Sequence, residues 1–422
     1  MIRKHSFRGV MAGFATSALA LAVSAQAFAG TVTTDGADIV VKTKGGLEVA
    51  TTDKEFSFKV GGRLQADFDQ FDGIYTKNGK TANEAYFRRA ILEVSGTAYK
   101  DWKYAFNVDF GESGGSKWDE ASITYIGLNP VNVKIGRFDP DFGLEKATSS
   151  KWISTIERSA IYDLADWVND KQDGMGIQLS GVAGELFYGS AGINRAKGNE
   201  DDNGDNNNTY NLRGVIAPMA EAGNVLHFGV NYAKRTTEDF DGRVRSRLNV
   251  RGTTEDSKNG NRPDFAPAVV GQFDGDAAWG LEAAFAMGPF SIQSEYLRRD
   301  IDAKSGSLRN DREATGYNVQ LAYTLTGEAR GYKLDGGKFD SIKPADKQLG
   351  AWELVYRYDN IEAEESDFVD TKAKIHTLGM NWYATEAVKL SANYLMADSD
   401  NIANTSNGND GDAVSLRLQY AF

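Results

Sequence analysis

The chain has no cysteine, only seven prolines and only three histidines among its 422 residues. The lack of cysteine excludes a disulfide framework and thiol chemistry. His227 and His376 lie far apart without a nucleophile motif, and His5 belongs to the N-terminal segment. The acidic run 199–208 lacks the spacing and closing Glu of a calcium loop, so a solvated loop is the preferred interpretation. We therefore expect a protein that is not an enzyme and that uses no cofactor and no metal.

Positive charge is also scarce. Lysine and arginine number 47 against 59 aspartates and glutamates, which gives a formal net charge of −12. Binding to nucleic acid depends on a basic surface that neutralises phosphates. The composition therefore argues against a nucleic-acid partner, and any local cluster of arginines stands out against an acidic background.

Residues 1–29 have the pattern of a secretory signal peptide. Arg3, Lys4 and Arg8 precede an apolar, alanine-rich run that ends in the cleavage pattern Ala27-Phe28-Ala29. A membrane anchor is the alternative. Loss of these three positive charges would change the net charge from −12 to −15. Beyond this segment no apolar run reaches the length of about 18 residues that a transmembrane helix needs.

Apolar and polar residues alternate along many segments, which is typical of strands with one apolar face. One such segment carries Trp352, Leu354, Tyr356 and Tyr358 at alternate positions. The last segment, 414–422, alternates in the same way and ends on a phenylalanine, and it resembles the final strand of bacterial outer-membrane barrels. An edge strand of a soluble sheet is the alternative.

Sixteen segments of this kind can be counted, an even number, as bacterial single-chain barrels require. They are 56–68, 86–99, 102–111, 119–127, 131–138, 174–181, 184–194, 209–217, 224–234, 278–287, 289–302, 313–325, 350–361, 373–384, 386–397 and 412–422. Connections after even-numbered segments are mostly tight and the others are long, as expected for periplasmic turns and extracellular loops. The long connection 326–349 breaks this rule, and a miscounted hairpin is the simple explanation.

These observations predict an all-β fold, a transmembrane 16-stranded antiparallel β-barrel. We expect residues 1–29 to be a signal peptide, 30–55 a periplasmic-side N-terminal segment, and 56–422 the barrel. Sixteen strands leave a water-filled channel. In sixteen-stranded porins the third extracellular loop usually folds inward, and here that loop is 139–173. A surface loop with solvated charges is the alternative.

Four arginines recur in the long extracellular connection that follows segment 224–234, and we call them the arginine ladder. They are Arg243, Arg245, Arg247 and Arg251. In an extended strand they would share one face, with Asn249 in the gap and with neighbours about 7 Å apart. Like charges at this spacing repel. Either the face is solvated, or an anion passes along it.

Arginines also occur on the first two strands. Arg63 and Arg89 have the parity of polar, lumen-facing residues, whereas Arg88 has the parity of the lipid-facing Ala90 and Leu92. Arg88 therefore fits only above the hydrocarbon or beside a β-bulge. Rings of Arg and Lys select anions in pores, and the planar guanidinium suits phosphate because it donates two parallel hydrogen bonds.

Several long strings resemble the phosphate- and polyphosphate-selective outer-membrane porins, over essentially the whole chain beyond the signal. They are Gly62-Arg63-Leu-Gln-Ala-Asp67, Ala85-Tyr-Phe-Arg88-Arg89-Ala90, Gly96-Thr-Ala-Tyr-Lys-Asp-Trp-Lys103, Asp141-Phe-Gly-Leu-Glu-Lys146-Ala-Thr-Ser-Ser-Lys-Trp152, Ala165-Asp-Trp-Val-Asn169, Tyr323-Thr-Leu-Thr-Gly-Glu328 and Gly350-Ala-Trp-Glu353. The resemblance implies a homotrimer in the bacterial outer membrane, in contact with lipid and lipopolysaccharide, with one pore per subunit and an anion site at its constriction.

The resemblance also implies the residues of that site by position. The constriction set is Arg63, Arg88, Arg89, Asp119, Lys146, Ser149, Ser150 and Arg158. The arginine ladder leads toward this set, and Lys42, Lys44 and Lys54 match a set of lysines on the periplasmic side. Ile91 stands where the family tends to have an aromatic residue. Asp139 stands where the phosphate-preferring member has Tyr and the pyrophosphate-preferring member has Asp.

The expected function is passive, anion-selective uptake of phosphate, with pyrophosphate and short polyphosphate as further substrates. A general or sugar-permeable diffusion porin without a phosphate site is the alternative. A barrel-embedded enzyme would need a nucleophile–His pair, which the sequence lacks.

Overall fold

The computed structural model describes residues 31–34, 37–43, 45–111, 117–168, 175–195, 208–254, 258–366, 368–402 and 409–422. The predicted signal peptide and most of the acidic run 199–208 lie outside these ranges. In the described part of the chain, no helix has the length and apolar character needed to cross a membrane.

The described residues form 23 strands, and the longest has twenty residues. The strands are β1 Thr31–Thr34, β2 Ala37–Lys42, β3 Leu47–Thr51, β4 Ser57–Gly73, β5 Gly79–Ala98, β6 Trp102–Asp109, β7 Lys117–Leu128, β8 Val131–Arg137, β9 Gly176–Ala183, β10 Phe187–Arg195, β11 Asn208–Glu221, β12 Asn224–Phe240, β13 Val244–Arg245, β14 Asp264–Ala266, β15 Phe273–Met287, β16 Phe290–Ala303, β17 Arg312–Thr324, β18 Arg330–Lys333, β19 Lys338–Ile342, β20 Ala351–Glu365, β21 Thr371–Tyr383, β22 Val388–Asp400 and β23 Asp410–Ala421. The helical turns are α1 Leu144–Ala147, α2 Ile161–Leu164 and three short 3₁₀ turns at Asp166–Val168, Arg251–Thr254 and Leu334–Gly336.

Sixteen strands close into an antiparallel barrel. They are β4–β12, β15–β17 and β20–β23, each paired with the next, and β23 pairs back with β4. Each of the sixteen predicted segments overlaps one of these strands, so the predicted strand number is confirmed. Closure pairs the backbone N–H and C=O groups along the edges of the barrel strands. A sheet in hydrocarbon requires this pairing because no water is present to hydrogen-bond those groups.

The three N-terminal strands β1–β3 form a small meander that joins the same sheet. β3 pairs with the first residues of β4, where Leu47 lies opposite Val60. β23 pairs with β4 from Arg63 onward. The Gly62 N–H donates to the Phe422 carbonyl at 2.9 Å, so β3 and β23 follow each other along one edge of β4.

The two faces of the barrel differ in polarity. On β20, Leu354 is 44% exposed, whereas Glu353 and Arg357 on the opposite face are each 1% exposed. The same alternation of exposed apolar and buried polar residues recurs on β21 and β23. The outward face therefore suits lipid, and the polar face points toward the interior, as the alternation predicted.

The loop between β8 and β9 contacts this polar interior face. Its described part is 138–168, which we call the β8–β9 loop. The Ile156 N–H donates to Asn393 Oδ1 on β22 at 2.7 Å, and the Gly143 N–H donates to Asn231 Oδ1 on β12 at 2.9 Å. These strands lie on well-separated parts of the barrel wall, so the loop contacts the interior face of strands far apart in the sheet.

The connection 326–349 is not a miscounted barrel hairpin, and that interpretation was wrong. Its strands β18 and β19 pair only with each other. Its turn reaches β11, where Arg213 Nη2 donates to the Gly337 carbonyl at 2.8 Å. Tyr332 Oη lies 2.6 Å from Nδ1 of the buried His227 on β12. The connection is therefore a separate hairpin that is held against the interior face.

Candidate anion-binding site

A β-bulge between β4 and β5 explains the orientation of Arg88. Gln65 pairs with Arg89 and Ala66 pairs with Phe87, so Arg88 is the extra residue. A bulge reverses the alternation of faces locally. The Arg88 guanidinium donates two hydrogen bonds to Glu157 of the β8–β9 loop, at 2.9 and 3.1 Å. Arg88 therefore faces the interior beside Arg89, and the conflict in its parity is removed.

Arg63 brings together three of the predicted site residues. Its Nη1 donates to Ser150 Oγ at 2.6 Å, and its Nη2 lies 3.9 Å from Asp119 Oδ2. Its side chain is 12% exposed, and its Nε is buried without a hydrogen-bond partner in the described structure. Arg89 donates from Nη1 to Gln65 Oε1 at 3.0 Å. Arg63 and Arg89 therefore lie on the same interior face, two residues apart in the β4–β5 register, and each uses only part of its donor capacity in hydrogen bonds.

The remaining constriction residues come from the β8–β9 loop. The α1 residue Lys146 pairs with Asp139 at 2.9 Å, so the cation and the predicted selectivity residue contact each other. Arg158 donates to the carbonyls of Lys146 and Thr148, at 3.3 and 2.9 Å. This arrangement places a cation at the C-terminal end of α1, where helix carbonyls lack partners. Arg158 therefore holds the loop in shape and leaves few donors for an anion.

Ser149 and Ile91 lie next to this group. The Ser149 carbonyl accepts a hydrogen bond from the Trp152 N–H at 2.8 Å, in the turn that presents Ser150. Ile91 lies directly opposite Arg63 in the β4–β5 register and is 4% exposed. It packs an aliphatic side chain beside the arginines at the position where the sequence resemblance expects an aromatic ring.

Glu157 is the carboxylate that orders the arginines of the barrel wall. It accepts hydrogen bonds from Arg88 and, at 2.7 Å, from Arg417. Burial favours the neutral acid, but the charges of Arg88, Arg417 and Arg89 outweigh it and hold the pKa of Glu157 well below its usual range. Glu157 is therefore an anion at neutral pH that fixes two guanidiniums on one side.

The arginine ladder is only partly extended. Arg243, Arg245 and Arg247 are partly exposed and alternate with the buried Val244 and Ser246, as predicted. The strand prediction fails further on. Leu248 and Asn249 have left-handed backbone angles, with φ of 49° and 68°, and Arg251 begins a 3₁₀ turn. The prediction that the four ladder arginines share one face of a single extended strand is therefore wrong.

Asn249 does not lie on the arginine face. Its side chain is 7% exposed, and its Nδ2 donates to Asp359 Oδ2 on β20 at 2.8 Å. Two of the ladder arginines already have partners. Arg243 binds Asp264 at 2.6 Å, and Arg247 donates from Nε to Thr254 Oγ1 at 2.8 Å.

Arg262 is a further arginine beside the ladder that the sequence pattern missed. Its side chain is 10% exposed, it lies 3.7 Å from Asp166, and two of its nitrogens have no hydrogen-bond partner in the described ranges. Its charge, together with burial, lowers the pKa of Arg245. Regular spacing along the sequence could not reveal Arg262, because the chain turns back between the ladder and this residue.

The predicted periplasmic-side lysines lie on the N-terminal meander or next to it. Lys42 is exposed and pairs with Glu48 at 3.3 Å. Lys54 is exposed in the turn before β4, with a positive φ of 62°. Lys44 lies outside the described residues. The two described lysines are therefore exposed to solvent.

Two residues in contact with the site lie outside the predicted constriction set. Glu93 on β5 lies 3.5 Å from Arg63 and 3.2 Å from Lys151 of the β8–β9 loop. Parity places Glu93 on the Arg89 face, but only the folded loop brings Lys151 to it. The acidic group Glu362, Glu364 and Asp370 is mostly exposed near one end of β20, away from these contacts.

Comparison with known proteins shows the family of the chain. Residues 58–422 match the family described as "Phosphate-selective porin O and P". The chain is 58% identical to "Porin O" of Pseudomonas aeruginosa, over the full length of both chains. It is 25% identical to an uncharacterized protein of Caulobacter vibrioides, over 86% of this chain and 73% of that protein.

Solved porin structures share the fold at low sequence identity. An anion-selective porin from Comamonas acidovorans superposes with a TM-score of 0.57 at 12% identity, covering 87% of this chain and all of that one. A trimer form of OmpT from Vibrio cholerae gives a TM-score of 0.54 at 12% identity, covering 87% of this chain and 99% of that one.

Proposed function

The chain belongs to the phosphate-selective porin O and P family, and we propose that it is a passive outer-membrane channel for phosphate. One observation carries the proposal. Arg63 donates to the Ser150 hydroxyl of the β8–β9 loop, and its Nε makes no hydrogen bond in the described structure. Arg89 makes a single hydrogen bond there, to Gln65, whose side chain also donates to the Ser150 carbonyl. Guanidiniums with open donor positions are suited to the oxygens of a phosphate.

The β8–β9 loop is the third extracellular loop in this proposal, folded inward so that it narrows the pore. Its hydrogen bonds to the interior faces of β12 and β22 support this arrangement. The arginine ladder, with Arg262 beside it, then lies at the outer mouth. An anion passes from there to Arg63 and Arg89, with Lys146 on the facing loop. Selective conduction needs sites that admit the anion and release it again.

Pyrophosphate and short polyphosphate are further substrates in this proposal. Asp139 carries no ring, and its carboxylate pairs with Lys146 at 2.9 Å. The lack of a ring at this position should widen the constriction for a longer anion. The functional unit is a homotrimer with one pore per subunit, in contact with lipid and lipopolysaccharide, exported by the signal peptide 1–29. Transport is passive and involves no catalytic step.

Block of chloride current by phosphate in planar bilayers tests the proposal. The variant Arg63→Ala with Arg89→Ala should raise the phosphate concentration for half-block at least about tenfold, because each charge-assisted contact contributes about 1.5–3 kcal/mol. Lys372→Ala with Lys374→Ala is the control, since it removes two charges from the outward face of β21. A wild-type current that phosphate leaves unchanged contradicts the function. An unchanged block in the arginine variant contradicts the site.

A further inference from the structure

Glu93 occupies a special position on the interior wall. On β5 the residues Arg89, Ile91 and Glu93 share the interior face, and Ile91 lies opposite Arg63. Glu93 is therefore one step beyond the arginines, about 7 Å toward the short β5–β6 turn. In the proposed orientation this is the periplasmic, exit side of the constriction.

The Glu93 carboxylate contacts two cations at once. Its Oε1 lies 3.5 Å from Arg63 Nη2, and its Oε2 lies 3.2 Å from Lys151 Nζ. Its side chain is 23% exposed, so water and ions reach it. Glu93 thus connects Arg63, at the centre of the site, with Lys151 of the β8–β9 loop.

The contact between Glu93 and Arg63 is loose. Charge-assisted hydrogen bonds between nitrogen and oxygen usually measure about 2.7–2.9 Å. Arginines that hold the fold meet this range. Arg417 binds Asp67 at 2.7 Å, and Arg213 binds Glu282 at 2.7 Å, all four buried. The contact of Arg63 with Glu93 at 3.5 Å lies well outside it. A bound anion can therefore displace Glu93 from Arg63 without breaking a strong pair.

On these grounds we propose that Glu93 is a release residue, which competes with the bound anion for Arg63 and so speeds its exit toward Lys151. The inference rests on the proposed function. Carboxylate and phosphate oxygens accept from the same guanidinium donors, so the return of Glu93 to Arg63 weakens the hold on the anion. Lys151, freed from Glu93 during this exchange, is then available as the next contact.

Asp119 is a weaker candidate for the same role. Its carboxylate lies 3.9 Å from Arg63, whereas the Glu93 carboxylate lies 3.5 Å from it. Glu93 also contacts a second cation, Lys151, on the proposed exit side. Glu120 is the better control. It binds Lys134 and Ser122, each at 2.6 Å, so its charge lies near the pore but is committed to close partners.

The test measures phosphate binding and maximal phosphate current for Glu93→Gln in planar bilayers. Loss of the competitor should lower the phosphate dissociation constant about three- to fivefold, the range expected of partly exposed ion pairs. The phosphate current at saturation should fall by a similar factor, because exit becomes slower. Glu120→Gln should leave both quantities at wild-type values. Glu93→Asp keeps the charge but shortens its reach, so its dissociation constant should lie between those of wild type and Glu93→Gln.

The outcomes are distinct. Equal dissociation constants in wild type and Glu93→Gln overturn the release role while leaving the phosphate channel intact. Equal shifts in Glu93→Gln and Glu120→Gln also overturn it, because they point to a general change of field. If Glu93→Gln does not fold, a Glu93→Asp value identical to wild type has the same consequence. No phosphate block in wild type contradicts the proposed function itself.

Discussion

An arginine in this barrel can hold an anion only if its guanidinium is not already fully paired. Arg88 gives two hydrogen bonds to Glu157, and Arg158 is committed to the carbonyls of the β8–β9 loop. Among the described residues, Arg63 and Arg89 each make a single side-chain hydrogen bond, and neither contacts a carboxylate at less than 3.5 Å. Charge alone therefore does not show which arginines bind the anion. The hydrogen bonds that each guanidinium already makes distinguish the binding arginines from those that support the fold.

Arg247 gives the arginine ladder a dependence on pH. Burial and the charges of Arg251 and Arg262 lower the pKa of Arg247 to about 10, although Asp163 opposes the shift. Arg247 is therefore charged below that pH and loses its charge as the pH rises through it. The rate of phosphate capture, measured from the onset of current block, should fall between pH 9 and pH 11 more steeply in wild type than in Arg247→Gln. Identical pH profiles of the two proteins would show that Arg247 takes no part in capture.

At the scale of the element, strands could be predicted from the sequence and loops could not. The outward face of β20 followed from strict alternation, because lipid and water impose opposite polarity on the two faces. The bulge at Arg88 appeared only as a parity conflict. The turn at Leu248 and Asn249 was missed, because a left-handed backbone in residues other than glycine leaves no periodic signal.

The residues of the candidate site could also be predicted only in part. Residue types and a family resemblance were enough to name Arg63, Ser150 and Asp119, which the structure brings together. Glu93 shares its face with Arg89 by simple parity. Its contact with Lys151 depends on where the β8–β9 loop comes to lie, and such long-range placement is not encoded in local periodicity.

Arg417 anchors the β8–β9 loop to the barrel wall. It binds Asp67 at 2.7 Å, donates to the Ile156 carbonyl at 2.5 Å and contacts Glu157 at 2.7 Å. Arg417→Met should lower the free energy of unfolding by about 3–5 kcal/mol, because it leaves the buried Asp67 without a cation. Urea unfolding in detergent measures this. Adding Asp67→Asn should recover much of the loss, and unfolding of the single variant at the wild-type urea concentration would contradict the anchor.

At the scale of the whole molecule, an acidic chain encloses a cationic path. The net charge of −12 excludes a basic surface, yet the arginine ladder, Arg63, Arg89 and Lys146 follow one another along the proposed route. The acidic residues are spread over rims, loops and buried pairs, such as the exposed Glu364 and the buried Asp359. Ion selectivity in this account depends on the charges close to the path of the ion, because salt screens the charges that lie farther away.

The zero-current potential of single channels under a gradient of potassium phosphate tests that claim most directly. It compares the permeability of phosphate with that of potassium without any inhibitor or mutation. The account predicts a potential with the sign of an anion-selective pore, close to the value expected if phosphate alone crosses the membrane. A potential near zero, or one with the sign of potassium selectivity, would contradict it.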